Sequence, residues 1–117
     1  MRIKEDSESP EVLLEEEGII DVYRKVLIGP EDGSSRIILR YFKVLPGGNT
    51  PFHSHPFEHV VKIEKGRGLI VNAAGEETPV SPGQSAFIAG NEKHQFKNPY
   101  EKSFEFLCII PNPEKVS

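Results

Sequence analysis

Almost every apolar stretch in this chain is short and closed by glycine or proline. Ten Gly and ten Pro punctuate 117 residues. A globular helix needs roughly 10–12 residues of uninterrupted 3.6-residue periodicity, whereas a strand needs about 4–8 with period two. The breaks leave room for strands and little else. RIILRYFKVL at 36–45 and SFEFLCII at 103–110 alternate most clearly. Further strands are expected at 21–28, 59–64, 67–73, 76–80, 85–89 and 94–98. Short strands at this spacing, joined by Gly/Pro turns, indicate an all-β sandwich or barrel.

Parity assigns faces, because successive strand side chains point to opposite sides. In 36–45, Ile38, Arg40, Phe42 and Val44 form one set, and Ile37, Leu39, Tyr41 and Lys43 the other. Lys43 turns the odd set outward, yet its partners are too apolar for free solvation. A second sheet, the N-terminal segment or another subunit is needed to cover them. In 103–110, Phe104, Phe106, Cys108 and Ile110 face in, and Glu105 marks the outer face. Pro46-Gly47-Gly48 is expected to end the first of these strands. Ser81-Pro82-Gly83-Gln84 carries the Pro-Gly pair of a type II turn. The acidic segment 1–20 has a helix-start signal at Ser9-Pro10-Glu11, with Gly18 as a stop. It reads either as a short helix or as a solvated acidic tail. The barrel is assigned to 21–113 and a polar tail to 114–117.

This length suits one domain with one modest core. The net charge is −4 and basic residues are scattered, so no nucleic-acid surface and no membrane-binding face is expected. No apolar run approaches a membrane span. The N-terminal residues lack the apolar region of a secretory signal, and one cysteine cannot form an internal disulfide. The expected location is the cytoplasm.

All four histidines fall into one pattern. His53, His55 and His59 lie at i, i+2 and i+6, and His94 follows 35 residues later. If extended, the first three share a face and can aim at one point, with His94 reaching in from an opposing turn. Four imidazoles suit one first-row divalent ion per chain: Zn, Cu, Ni, Fe or Mn. Glu58 has the opposite parity and should point away. Phe96 shares His94's side. Cys108, on an inward set, is expected to act as a small hydrophobe near the metal rather than as a ligand.

These residues resemble the cupin family. The first cupin motif is matched by Gly47, His53-Ser54-His55, His59 and Gly66. The second is matched by Gly83, His94 and Asn98, with Ala89 and Asn91 standing where the family has Pro and Gly. His59 occupies the position of the usual glutamate ligand, as in small single-domain, four-histidine cupins that often bind manganese. The resemblance implies a double-stranded β-helix, or jelly-roll, barrel and a homodimer. It favours Mn or Fe as the metal, with His53, His55, His59 and His94 as ligands. It also implies dioxygenase-like chemistry on a small organic molecule. Metal-dependent isomerisation or epimerisation of a sugar or keto acid is the alternative, and a non-catalytic ligand-binding module a third reading.

The inward sets supply Phe42, Phe96, Phe104, Phe106 and Cys108 as pocket walls, with Arg40 as the one inward charge. Arg40 is either an anchor for a carboxylate or enolate, or a cation that reaches the barrel mouth or pairs with an acidic residue. No general base is evident apart from metal-bound water, which favours redox or Lewis-acid chemistry.

Overall fold

The central strand of the protein, β3 (Ile37–Asn49), is long enough to serve two walls of a barrel. In the computed structural model, which describes residues 1–115, it pairs with β2 (Ile20–Ile28) and β9 (Phe104–Pro111) along most of its length. Its far end meets β8 (Gln95–Lys97) through Asn49 and Lys97. From there β5 (Gly68–Val71) and β6 (Glu77–Val80) extend one wall, while β4 (His59–Lys65) and β7 (Ser85–Ile88) extend the other beyond β9. The order β6-β5-β8-β3-β9-β4-β7, antiparallel throughout, curls into a jelly-roll barrel.

The Pro46-Gly47-Gly48 stretch does not end β3, contrary to the sequence expectation. The strand passes through it with a shift in register, from Val22 opposite Val44 to Ile20 opposite Asn49. Gly47 takes φ +82, which glycine adopts at little cost. A Cβ on Gly48 would lie 2.6 Å from the Ile20 carbonyl oxygen. The bulge hands the end of β3 to the second wall. Asn98 secures the join. Its backbone exchanges hydrogen bonds with Gly47 and Gly48, and its buried side-chain amide donates to the carbonyls of Val44 and Lys102, each at 2.8 Å.

Facing follows parity. Val44, Phe104, Phe106, Cys108 and Ile110 are buried, joined in the core by Val22, Phe42, Val61, Ile63, Ile88 and Phe96. On the opposite face, Tyr41 donates to Glu105 at 2.7 Å and Lys43 pairs with Glu11 at 3.1 Å, so the N-terminal segment covers part of the odd set. The Ser81–Gln84 turn closes as expected, with Gly83 at φ +96.

The N-terminal helix does not form. Residues 6–8 make a single 3-10 turn, and β1 (Val12–Leu13) instead pairs with Tyr23 and Arg24 of β2. A two-turn helix is marginal alone, and pairing to an open strand edge satisfies the same backbone groups. The chain then turns at Gly18, φ +84, and lays residues 14–19 across the barrel mouth. Of the polar tail, residues 116–117 lie outside the described residues. No helix among the described residues is long and apolar enough to cross a membrane.

Candidate metal centre

The loop leaving β3 and the turn before β8 are tied by a short antiparallel bridge between His53 and His94. Both residues thereby project into the same end of the barrel. His55 lies in the connecting loop and His59 opens β4 beside Ile88. The histidines therefore converge through a loop, a bridge and a strand start. The single extended segment assumed from their parity is not how they are held.

The rings are close. Centroids are 4.2 Å apart for His53 and His55, 5.4 Å for His53 and His94, 5.1 Å for His55 and His59, and 5.0 Å for His59 and His94. His53, His55 and His94 each offer a ring nitrogen within 4.8 Å of the others. His59 borders this trio and faces the same cavity.

Protonation suits metal binding. Burial holds His53 below the usual imidazole range, and the nearness of the His94 ring adds to this. Burial pushes His55 down to about 4 and His59 to about 3, with neighbouring histidines and Arg40 contributing. All three are neutral at pH 7, as ligands must be. The His94 Nδ1 lies 2.8 Å from the Glu92 carbonyl oxygen, which can only accept. Nδ1 therefore donates, and Nε2 is the nitrogen left for a metal, an arrangement common around metal-bound imidazoles. His59 Nδ1 is buried without a partner. Close neutral imidazoles with unused nitrogen lone pairs fit a divalent transition metal.

The turn around Asn91 supports the loop. A Cβ on Gly90 would meet the Pro56 carbonyl oxygen at 2.7 Å, and the Asn91 N–H donates to the His55 carbonyl. Asn91 has φ +64. Asn tolerates this left-handed conformation better than other side-chain-bearing residues, so it serves where the cupin motif has glycine.

A cavity of about 180 Å³ opens onto the histidines. Phe42, Phe96, Phe106, Cys108 and Arg40 line it. Phe104 does not. It is fully buried in the core beside Phe106 and fills the space that a side chain on Gly68 would need. Glu58 is exposed and lies outside the cavity wall.

Among the described residues, no acidic group pairs with Arg40. Its Nη2 donates to Cys108 Sγ at 3.1 Å, and its guanidinium lies 4.8 Å from the Phe42 ring centre. Nor is it the only charged group present, since Arg24 and Glu16 also line the cavity, with Leu14, Ile19, Thr50 and Pro51. Arg24 could have been found from its parity with Val22. The contribution of residues 14–19 was hidden by the helix signal.

A family model described as Cupin domain matches residues 40–110. The chain is 40% identical over 73 residues to 1-methylthio-D-xylulose 5-phosphate methylsulfurylase of Rhodospirillum rubrum, covering 62% of this chain and 46% of that protein. It is 33% identical over 76 residues to Auxin-binding protein 1 of Arabidopsis thaliana, covering 58% of this chain and 38% of that protein. The matches thus span less than half the length of these two curated relatives. Among solved structures, the polyketide cyclase RemF of Streptomyces resistomycificus superposes with a TM-score of 0.90 at 29% identity, covering 95% of this chain and 79% of that one. The histidine bridge, the jelly-roll path and a family match over more than half the sequence lead to one assignment: the chain belongs to the cupin family.

Proposed function

We propose that this cupin holds one divalent transition metal, Mn or Fe in preference to Ni, Cu or Zn, through His53, His55, His59 and His94. It acts on a small organic substrate in a dioxygenase-like oxidation. The observation that carries this reading is the convergence of four imidazoles on a cavity walled by Phe42, Phe96 and Phe106. With only neutral ligands the ion keeps its full charge and supplies Lewis-acid and redox chemistry. The protein's own part is to orient the substrate. The phenylalanines exclude water and favour an apolar or aromatic body, and Arg40 presents a fixed cation to a carboxylate or enolate. Oxygen uptake by Fe- or Mn-loaded protein, screened against diketones, catechols and flavonols, tests the reading. Substrate-dependent uptake supports it, and none under any loading removes it.

Isomerisation or epimerisation without oxygen is the second reading. Two arginines in the cavity favour it, because they supply cations for a phosphorylated sugar. The Rhodospirillum rubrum relative is also named for a sugar 5-phosphate. Turnover that persists without oxygen separates this reading from the first. Ligand binding without turnover would instead leave a binding module.

A second copy of the chain completes the proposal. Phe87, Val60, Ile109 and Leu39 form a continuous row across β7, β4, β9 and β3 on the outer face. The first three are 61%, 49% and 41% exposed. A two-fold dimer needs only one self-complementary patch, and this row supplies its apolar centre. Cys108 is free and buried, which suits a reducing, cytoplasmic setting.

A further inference from the structure

Arg40 belongs to a cross-strand row with Cys108 and Val61, on the face that elsewhere forms the apolar core. Arg24, on the adjacent strand β2, stands opposite Phe42. The two arginines are therefore diagonal neighbours on one inner face, and both line the cavity that holds the histidines.

Neither has a counter-anion among the described residues. The ion pairs among the described residues use Arg2, Lys4, Lys43 and Lys97. Arg40 Nε is buried with no partner. Its Nη2 contact is a thiol, a weak acceptor. Burial raises the Cys108 pKa against the pull of Arg40, so the sulfur does not supply a negative charge. Burial, together with the field of Arg24, also works against the charge on Arg40. Arginine keeps its proton even so. Glu16, at the same cavity, is exposed and pairs with neither arginine.

Two neighbouring cations with no carboxylate between them oppose folding, and a bound anion reverses the sign of that term. We propose that Arg24 and Arg40 form an oxyanion subsite, which receives the carboxylate or phosphate of a small acid whose other end lies against the histidines. Guanidinium forks match both groups bidentately. The cavity, about 180 Å³, suits a small acid. The inference rests on the proposed function only in taking the histidine cavity as the substrate site.

Calorimetric titration of malonate and of inorganic phosphate into the full chain, metal-free and metal-loaded, tests the subsite. Metal-free wild type should bind at least one of them, more weakly at high salt. Preference for malonate assigns a carboxylate ligand and preference for phosphate a phosphorylated one. Arg24→Gln and Arg40→Gln should each weaken binding about tenfold or more, with unchanged metal content. If Arg40→Gln does not fold, Arg24→Gln carries the test, because Arg24 is only half-buried. Wild-type affinity in folded arginine variants, or anion binding only when metal is present, overturns the proposal. A lowered melting temperature with unchanged anion affinity also overturns it, by making the arginines structural. Metal content of histidine variants is a separate readout, so the metal reading can fail without the anion subsite, and the reverse.

Discussion

His53 and His94 hydrogen-bond to each other through their backbones in both directions, at 3.1 and 2.9 Å. The bridge locks together the two segments that carry the cupin motifs, so neither imidazole depends on a flexible loop for its position. Replacing either side chain leaves the backbone bonds intact. His53→Ala and His94→Ala should therefore fold and lose the metal, as read by elemental analysis of protein purified without added metal. His59→Ala should also lower metal content. Full stoichiometry in that variant would reduce the ligand set to the trio of His53, His55 and His94.

Acid should destabilise the metal-free protein through these histidines. In the unfolded chain each imidazole binds a proton as pH falls through about 6.5. In the folded chain His55 and His59 resist protonation until about 4 and about 3. The unfolded state thus holds more protons between these limits, so stability is full above pH 6.5 and declines as pH falls toward 3. Urea midpoints at pH 7.5 and 4.5 measure the decline. A His55→Gln, His59→Gln double variant should lose less over that interval, and equal losses would contradict the assignment.

Asn98→Ala should cost about 2–4 kcal/mol. The Asn98 amide satisfies the Val44 and Lys102 carbonyls, and its Oδ1 accepts from the Tyr100 N–H. Removing it leaves buried polar groups unpaired beside the β3 bulge. Chemical denaturation measures the cost. A value under about 0.5 kcal/mol, the ordinary surface range, would mean that the join is held elsewhere.

Gly66→Ala should be more damaging than Gly75→Ala, although both residues have positive φ. A Cβ at Gly66 would sit 2.0 Å from the Ser103 carbonyl oxygen, whereas nothing lies within 4 Å at Gly75. The left-handed backbone alone costs about 1–2 kcal/mol for an L-residue. Only Gly66→Ala adds a displacement of β9. A melting-temperature comparison separates the two, and equal losses would remove the packing argument.

Val60→Glu and Ile109→Glu should produce a monomer by sedimentation velocity while preserving metal content. Both residues lie at the centre of the exposed apolar row, away from the cavity wall. A wild-type chain that sediments as a monomer would remove the dimer proposal.

The fold class and the buried face of the long strands could be read from the residues alone. Gly and Pro limit element length, and strand parity needs no tertiary information, so Phe42, Phe106, Cys108 and Phe96 were legible as inward residues. The four histidines were legible because no histidine lies outside the pattern. Tertiary structure decided the rest. Pro46-Gly47-Gly48 reads locally as a break, yet becomes a bulge because Asn98 arrives from 50 residues away to satisfy it. Ser9-Pro10-Glu11 reads as a helix start, yet the segment pairs with the open edge of β2, which no local signal reveals. Phe104 and Phe106 share parity and are both buried in the core, but only depth along the barrel brings Phe106 to the cavity as well. The pairing of Arg24 with Arg40 depends on the register between β2 and β3. Cross-strand register is a non-local quantity, and two distant residues acquire a common chemistry only when the sheet has closed.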